Sequence, residues 1–372
     1  MHDNPALAEA ARVCDTVIPL FVLDEALVRK HGTPRRLEFL QGCLLDLRES
    51  LRRLGADLVV RRGDVVGETT RLAQAHGAGV VFMSRDASAY AQRRERRLAG
   101  ERVDLRLHEG IAAVEPGAIV PDGRDHYRVF TPYWTRWRFE PRRAVEPAPA
   151  SLELPTALDP GDIVSGARDG ETNARRRLTE WLTDGIADYE PRRDSPAADG
   201  TSRLSAYLHF GCLSANEVAA MSVAHEQFLR QLCWRDFFLQ LLRANPQLEN
   251  EDLKPRDDWR DDDEAFARWR AGETGVPIVD AAMRQLAAEG WLPNRARLIV
   301  AGFLTKTLGL DWRLGARVFN DLLVDADVAS NTGNWQWVAG TGVDTRPRGF
   351  NAARQAKRFD PDGVYVRRYA RV

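Results

Sequence analysis

The chain has 372 residues, of which 44% are hydrophobic and 29% are charged, and its 53 Lys and Arg residues balance 54 Asp and Glu residues. This length predicts about two domains with substantial cores. No segment has the ~18 consecutive apolar residues of a membrane span, and residues 1–14 lack the pattern of a signal peptide, so we predict a cytoplasmic protein without a membrane partner. The four cysteines show no metal-binding spacing, and we expect neither a disulfide nor a bound metal.

Residues 16–107 alternate short apolar runs with helical patterns. After Pro34, leucines from Leu37 to Leu54 recur every three or four residues, which predicts an amphipathic helix that ends at Gly55. The apolar runs predict strands over residues 16–23, 57–61, 79–83 and 103–107. Alternating strands and helices are typical of an open α/β domain with a parallel sheet and right-handed crossovers.

The composition changes in the middle of the chain. Prolines between Pro141 and Pro160, mixed with Ala, Ser and Glu, indicate a linker. Beyond about Thr172 the apolar spacing is helical almost throughout. Helices are predicted around residues 228–241, 279–286 and 312–323. We therefore predict three segments, an α/β domain at 1–140, a linker at 141–171 and an all-helical domain at 172–372.

Residues 201–208, with the sequence TSRLSAYL, place hydroxyl groups in front of a helical pattern. The start of a helix presents free backbone N–H groups, so such a segment can hold the diphosphate of a nucleotide cofactor. A Ser or Thr N-cap is common in helices, and the spacing alone favours that simpler interpretation.

Residues 325–337, with the sequence DADVASNTGNWQW, combine carboxylates, amides and two indoles. Such a segment is expensive to bury unless a polar and aromatic partner lies against it, and a flavin would meet that requirement. If the segment is helical, the side chains of Trp335 and Trp337 project about 200° apart. One indole can then face a cofactor while the other lines a cavity on the opposite side.

Seven of the ten tryptophans lie between Trp234 and Trp337. Core packing is the simplest explanation for any one of them, because large aromatic side chains dominate the cores of helical domains. Their density, among Asp, Asn and Arg residues, favours a further role.

Residues 346–372 contain eight basic residues and only two acidic ones. A cluster of this kind could follow a phosphate backbone. Without other observations, a solvated surface with no partner is the simpler interpretation.

Five motifs occur in a fixed order in the second half of the chain: TSRLSAYL at Thr201, WRDFF at Trp234, GVPIVDAAMRQL at Gly275, NRAR at Asn294 and DADVASNTGNWQW at Asp325. Together they closely resemble the FAD-binding domain of the DNA photolyase/cryptochrome family. HDNPAL at His2 resembles the N-terminal domain of the same family. The resemblance covers essentially the whole chain and is strongest to the class I cyclobutane pyrimidine dimer photolyases.

The resemblance implies light-dependent repair of pyrimidine dimers in DNA, by electron transfer from photoexcited reduced FAD to a flipped-out lesion. The implied FAD contacts are Tyr189, Thr201, Ser202, Arg203, Leu204, Ser205, Arg235, Arg297, Asp325, Ala326, Asp327 and Asn331. Within this set, Arg297 and Asp325 resemble an ion pair beside the isoalloxazine, and Asp327 resembles a carboxylate that hydrogen-bonds the ring system. Asn331 matches the residue that faces flavin N5, where asparagine is typical of photolyases that work from fully reduced flavin.

Trp335, Trp312 and Trp259 match the electron relay of the family, in which successive indoles pass an electron from the surface to the photoexcited flavin. Indoles suit this role because the ring is readily oxidised and large enough to shorten each step.

The resemblance also implies a set of contacts to the lesion and the DNA backbone: Arg193, Gln231, Trp234, Asn294, Arg295 and Trp337. In this set, Trp234 and Trp337 would form two aromatic walls around the flipped-out pyrimidines. Relatives that repair the (6-4) photoproduct carry histidines where this chain has Asn294 and Leu298. Their absence favours the cyclobutane dimer as the substrate.

The chain departs from the family pattern at three points. Gln231 stands where cyclobutane photolyases often carry a glutamate, and an amide brings no charge, which puts the efficiency of repair in doubt. HDNPAL follows Met1 directly, so we expect the α/β domain to lack its first, central strand and to leave unpaired edges. Relatives also continue beyond Val372. We hypothesise that the reading frame starts upstream of Met1 or that the chain is a fragment.

The resemblance leaves further questions open. A second, antenna chromophore is implied, and methenyltetrahydrofolate and a deazaflavin both occur in the family. The usual family member is a monomer that acts on UV-damaged DNA without an obligatory protein partner. The alternatives to a repair enzyme are a cryptochrome-type blue-light photoreceptor, which commonly differs at the position of Asn331, and an inactive truncated relative.

Overall fold

The structure, a computed structural model, describes residues 1–166, 169–343 and 349–370. The chain folds as two units whose segments alternate along the sequence. The first unit comprises Met1–Asp125, Thr135–Thr179 and Leu204–Val223, and the second comprises His126–Trp134, Glu180–Arg203 and Ala224–Val372.

Four strands lie where the apolar runs predict them: β1 Leu20–Leu23, β2 Val59–Arg62, β3 Val80–Ser84 and β4 Asp104–His108. β1 pairs in parallel with β2, and β3 pairs in parallel with β4. β1 begins at Leu20 rather than at Thr16, directly after Pro19, which has no N–H to donate to a ladder. Among the described residues the pairs are separate two-stranded sheets.

Counting only described residues, seven helices begin before residue 181: α1 Pro5–Val13, α2 Glu25–His31, α3 Pro34–Arg53, α4 Val65–His76, α5 Ala89–Ala99, α6 Phe130–Trp137 and α7 Glu171–Glu180. α3 confirms the leucine pattern, and it buries Leu44 and Leu51 in an apolar cluster with Leu58 and Val60. The chain turns after it at Gly55, whose φ of 91° lies in the region that favours glycine.

The rest of the described chain is helical, as predicted: α8 Tyr189–Arg192, α9 Ser205–His209, α10 Ala215–Met221, α11 Glu226–Ala244, α12 Asp263–Ala271, α13 Pro277–Glu289, α14 Asn294–Gly302, α15 Trp312–Leu322, α16 Val328–Ala339, α17 Ala352–Phe359 and α18 Val364–Arg368. A short 3₁₀ turn lies at Ile186–Asp188, and single π-helical turns lie at Trp181–Gly185 and Phe303–Thr307. In the part of the chain that the structure describes, none of the helices has the length and apolar character required to cross a bilayer.

The core of the second unit is rich in indoles. Trp269, Trp312 and Trp335 are almost fully buried in one apolar cluster formed mainly by α12 to α16, and Trp259 packs against the edge of this cluster. Core packing is therefore one role of these tryptophans, and it places two of the predicted relay residues, Trp312 and Trp335, in the same buried cluster.

Candidate functional site

Helix α16 carries the carboxyl-terminal motif and confirms that Trp335 and Trp337 lie on one helix. Asp327 caps its start, because the Oδ1 atom accepts a hydrogen bond from the Ser330 N–H at 2.7 Å. Trp335 is 2% exposed, whereas Trp337 is only half-buried. The side-chain amide of Asn331 lies on the same helix. The motif thus projects one indole into the core and the other towards a more open surface.

Two glycines let neighbouring helices approach α16 closely. A Cβ atom on Gly315 of α15 would lie 2.1 Å from the Cη2 atom of Trp335, and one on Gly333 would lie 2.1 Å from the Cδ1 atom of Phe238 in α11. Any larger residue at these positions must displace an aromatic ring. The sequence carries no periodic signal for either contact.

Arg297 and Asp325 form an ion pair in which the carboxylate is buried and the guanidinium is partly exposed. The Nη2 atom of Arg297 donates to the Oδ2 atom of Asp325 at 2.7 Å, and its Nε atom donates to the Leu292 carbonyl at 2.9 Å. The Asp325 side chain is 1% exposed, yet its Oδ1 atom has no hydrogen-bond partner among the described residues. Leaving a buried carboxylate oxygen unsatisfied costs about 1–3 kcal/mol, so this oxygen is available to a polar group from outside the chain.

Arg203 fixes the segment that the sequence predicts to hold phosphate. Its backbone lies in the left-handed region at φ 52°, and its guanidinium pairs with Asp199 at 2.8 Å and Glu289 at 3.2 Å. The same guanidinium lies 4.1 Å from the ring centroid of Trp291. The side chain of Arg203 is therefore held by its own unit, and its contribution to a ligand would come from the backbone.

Thr201 and Ser205 occupy the two ends of this segment. The Oγ1 atom of Thr201 is buried without a partner among the described residues. Ser205 is the first residue of the five-residue helix α9, so the predicted helix start is present but short. Leu204 and Ser205 belong to the first unit, whereas Thr201, Ser202 and Arg203 belong to the second.

Tyr189 lies in an aromatic cage within the second unit. Its ring meets those of Trp181 and Phe228 edge to face, at centroid distances of 5.8 and 5.5 Å. Burial raises the pKa of the Tyr189 phenol above its usual value, and the phenol stays protonated at neutral pH. The guanidinium of Arg193 lies 5.7 Å from the Tyr189 ring centroid. Phe228 lies near the start of α11. In the same helix, Arg235 lies 3.8 Å from the buried carboxylate of Asp236.

The predicted relay indoles differ in what surrounds their N–H groups. The Nε1 atom of Trp312 donates to the Oδ1 atom of Asp252 at 2.7 Å. The Nε1 atoms of Trp259 and Trp335 are buried and have no partner among the residues that the structure describes. The ring of Trp259 is covered by Arg256, whose guanidinium lies 3.8 Å from its centroid. Sequence reasoning missed Asp252, which lies 60 residues from its partner.

Trp234, the predicted lesion wall on α11, is supported on one face. The ring of Phe130 stacks on it with a centroid distance of 3.6 Å and an interplanar angle of 2°, while Phe237 meets it edge to face at 5.6 Å. Gln231, one turn earlier, donates its Nε2–H to the Gln227 carbonyl at 3.3 Å. Sequence reasoning also missed Phe130, which lies in a distant segment of the chain.

The predicted DNA contacts differ in their exposure and in the contacts that they already make within the protein. Asn294 is exposed at the start of α14. Arg295 donates to Asp194 at 2.9 Å and covers the Phe359 ring at 4.1 Å, so a phosphate would have to compete with these contacts. In the basic carboxyl-terminal stretch, Arg368 donates to the Ala197 carbonyl at 3.0 Å. Three residues of that stretch, Arg346, Arg348 and Arg371, lie outside the described residues.

The second unit fits a flavin nucleotide. The unsatisfied Asp325 Oδ1 can accept from a ring N–H or a hydroxyl, and the unsatisfied Thr201 Oγ1 can bond a phosphate or ribityl oxygen. Arg297 supplies a positive charge next to the first of these sites. Buried polar atoms of native proteins are nearly always satisfied, so these two atoms are available to a ligand.

Comparison with known proteins agrees with this interpretation. Residues 1–153 match the sequence profile of DNA photolyase, and residues 228–371 match that of the FAD binding domain of DNA photolyase. The deoxyribodipyrimidine photo-lyase of Streptomyces griseus is 48% identical, over 99% of this chain and 86% of its own length. The structure of a bacterial class III photolyase from Agrobacterium tumefaciens matches with a TM-score of 0.90 and 33% identity, over 99% of this chain and 83% of that one.

Two other matches are a photolyase with a second FAD molecule and a cryptochrome. An archaeal photolyase from Sulfolobus tokodaii with two FAD molecules matches with a TM-score of 0.89 and 30% identity, over 99% of this chain and 87% of that one. Cryptochrome DASH of Gloeobacter violaceus is 34% identical, over 99% of this chain and 83% of its own length. The helical unit thus belongs to a flavoprotein whose cofactor is FAD. The chain is a member of the DNA photolyase/cryptochrome family.

Proposed function

We propose that this chain is a light-dependent lyase that repairs cyclobutane pyrimidine dimers in UV-damaged DNA. The 48% identity to a deoxyribodipyrimidine photo-lyase supports the reaction. The main support for the cofactor site is the buried Asp325 carboxylate, in which one oxygen is hydrogen-bonded and the other has no partner among the described residues. When bound, FAD supplies a light-driven electron to the lesion and recovers it after the cyclobutane bonds have broken. The protein residues hold the cofactor, hold the lesion and keep water away from both.

The cofactor side of the site is formed by the ion pair and α16. Arg297 orients Asp325, whose open oxygen would accept a hydrogen bond from the flavin, and Asp327 lies at the start of α16. The amide of Asn331 donates to the Ala316 carbonyl at 3.1 Å, which leaves its oxygen free to accept the N5–H of reduced flavin. The remaining proposed FAD contacts are Tyr189, Thr201, Ser202, Arg203, Leu204, Ser205, Arg235 and Ala326.

The lesion side is lined by Trp234 and Trp337, with Gln231 as a polar contact and with Arg193, Asn294 and Arg295 near the DNA backbone. Base stacking on aromatic rings is worth about 1–3 kcal/mol per base, and a damaged pair costs less to flip than an intact one. The Nε2–H of Gln231 is used by the Gln227 carbonyl. Its Oε1 atom can therefore accept from a pyrimidine N–H, but it supplies no charge.

Phe130 positions Trp234 for this contact. We expect Phe130→Leu to weaken binding of a dimer-containing oligonucleotide about three- to tenfold, because the stacked ring pair that orients Trp234 has an interaction free energy of about 0.5–1.5 kcal/mol. The FAD content should stay unchanged. A fluorescence titration with UV-irradiated oligothymidine measures the affinity. Phe237→Leu removes the edge contact and is the matched control. Equal effects of the two variants would contradict a specific role for the stacked face.

Trp337→Ala removes one of the two proposed walls. We expect the affinity for a dimer-containing oligonucleotide to fall at least about tenfold, with FAD content unchanged because Trp337 projects away from the buried face of α16. Trp337→Phe keeps an aromatic wall and should retain most of the affinity. An unaltered affinity in Trp337→Ala would remove this residue from the site.

A single comparison separates repair from the alternatives. The purified protein, supplied with FAD and a reductant, is illuminated with blue light in the presence of UV-irradiated oligothymidine, with a dark sample as the control. We expect bound flavin and light-dependent loss of dimers. Bound flavin without dimer loss would indicate a cryptochrome-type photoreceptor, a possibility supported by the match to Cryptochrome DASH. A protein that takes up no flavin would be an inactive relative.

We also propose the coarser organisation of the molecule. Residues 172–372 serve as the FAD-binding domain, residues 1–140 as an antenna-type domain, and residues 141–171 as their linker. The protein acts in the cytoplasm as a monomer without an obligatory protein partner. A second chromophore is supported by the two FAD molecules of the Sulfolobus tokodaii photolyase, and the absorption spectrum of the isolated protein distinguishes a flavin, a folate and a deazaflavin.

A further inference from the structure

Among the three proposed relay indoles, Trp312 differs in having a carboxylate at its N–H. The Nε1 to Oδ1 distance to Asp252 is 2.7 Å, which is short for an N–H···O bond and typical of one to a charged acceptor. Trp312 is 0% exposed, and the Asp252 side chain is 8% exposed. The bond therefore lies in a dry part of the second unit, where its electrostatic effect is strong.

Removing an electron from Trp312 would leave a positive ring in this environment. A buried charge is costly unless it is paired or neutralised, and a neighbouring cation adds to the cost, because the Arg313 guanidinium lies 4.9 Å from the ring centroid. An oxidised indole is also a far stronger acid at its N–H than a neutral one. Asp252 is the carboxylate that contacts this N–H, so it can take the proton directly.

We propose that Asp252 is a proton acceptor for Trp312 during light-driven electron transfer; this inference rests on the proposed function. Trp312 gives one electron to the oxidised indole of Trp335, which becomes neutral. The N–H bond of Trp312 breaks, and its proton forms an O–H bond with Asp252. The products are a neutral indolyl radical and a neutral carboxylic acid. When Trp312 regains an electron from Trp259, the proton returns and the hydrogen bond is restored.

The surrounding charges allow this transfer. The Arg313 guanidinium forms an ion pair with Asp252 at 3.0 Å and donates to Asp311 at 3.1 Å. When Asp252 becomes neutral, the guanidinium still has the Asp311 carboxylate as its partner. A neutral radical is a weaker oxidant than the protonated one, so the transfer slows the return of the electron from Trp335 to Trp312. Asp252 would thus favour a long-lived charge separation.

Flash photolysis of the FAD-loaded protein tests the proposal. The Trp259→Phe background is used because Trp312 is then the last donor, and the protonated and neutral indole radicals are distinguished by their visible absorption. We expect the neutral radical to form at a rate that is slowed in D₂O and does not depend on buffer concentration. In Asp252→Asn, the protonated radical should persist at least about tenfold longer, because an amide oxygen can still accept the N–H hydrogen bond but cannot take up the proton. Asp252→Glu should restore most of the rate.

Asp311→Asn is the matched control, because it removes a carboxylate from the same arginine while asparagine can still cap α15. It should slow neutral-radical formation much less than Asp252→Asn does, because Asp252 remains in place to take the proton. FAD content and unfolding temperature show whether each variant is folded. If a variant does not fold, the parent still tests the proposal through the dependence of its rate of neutral-radical formation on buffer concentration. A rate proportional to buffer concentration would overturn the proposal.

The outcomes separate this inference from the proposed function. Equal radical lifetimes in the parent, Asp252→Asn and Asp252→Glu, in protein whose flavin is still reduced by light, would overturn the role of Asp252 alone. A parent that forms no indole radical at all would contradict the relay itself, and the role of Asp252 with it.

Discussion

Replacing Arg297 with methionine is expected to abolish retention of FAD and to lower the free energy of unfolding of the flavin-free protein by about 3 kcal/mol. The Asp325 carboxylate would then be buried at 1% exposure without its counter-ion. It would lose the bond that orients its open oxygen towards the cofactor. Flavin absorbance after desalting measures the first effect, and urea unfolding of the flavin-free protein measures the second.

A double variant distinguishes the two effects. Arg297→Met combined with Asp325→Leu removes both charges, and replacement of a buried pair by apolar residues is often neutral for stability. We therefore expect the double variant to recover most of the lost stability but none of the FAD. If Arg297→Met alone kept its full complement of flavin, the proposed position of the cofactor next to this pair would be wrong.

Trp312→Phe is expected to slow light-driven reduction of oxidised FAD by about two orders of magnitude, equivalent to about 2.7 kcal/mol of barrier. Phenylalanine fills much of the same buried space but is far harder to oxidise than tryptophan. The measurement is the rate of flavin bleaching under blue light with an external reductant. Repair by protein that has already been chemically reduced does not use the relay and should largely persist.

Trp269→Phe is the matched control for this prediction. Trp269 is also fully buried, and its ring centroid lies 6.2 Å from that of Trp335, but it is not part of the proposed relay. Its substitution should leave the bleaching rate near that of the parent. Loss of repair by pre-reduced protein in Trp312→Phe would show that this indole has a role other than electron relay.

The sequence predicted the helical half of the fold well because its patterns are local. The apolar spacing of α11, α13 and α15 is visible within a single window, and residues 325–337 indicate a polar, aromatic site before any contact is known. Parallel strands are less well defined, because a short buried strand has no periodicity of its own. β1 accordingly starts after Pro19, later than the apolar run predicts. The division into two strand pairs depends on which strands hydrogen-bond to each other, and composition does not reveal that.

The contacts that sequence reasoning missed join distant segments. Asp252 reaches the Trp312 indole, and Phe130 reaches Trp234 across about a hundred residues. Cys43 and Cys212, which seemed unrelated in the sequence, have Sγ atoms 3.5 Å apart. No spacing rule connects such pairs, because the fold and not the chain brings them together. The roles inferred from the family resemblance depended on positions matched to the family, and neither Asp252 nor Phe130 was among them.

The two glycine contacts of α16 have a consequence for the photochemistry. Gly315 admits the Trp335 ring, and Gly333 admits the Phe238 ring, at distances that no larger side chain could share. Because the Trp335 ring of α16 lies against the backbone of α15, and the Phe238 ring of α11 lies against the backbone of α16, α16 cannot slide or rotate unless these rings move. A tunnelling step that begins at Trp335 therefore starts from a nearly constant separation. Its speed should change little on cooling, even in a frozen glass where larger motions of the protein have stopped.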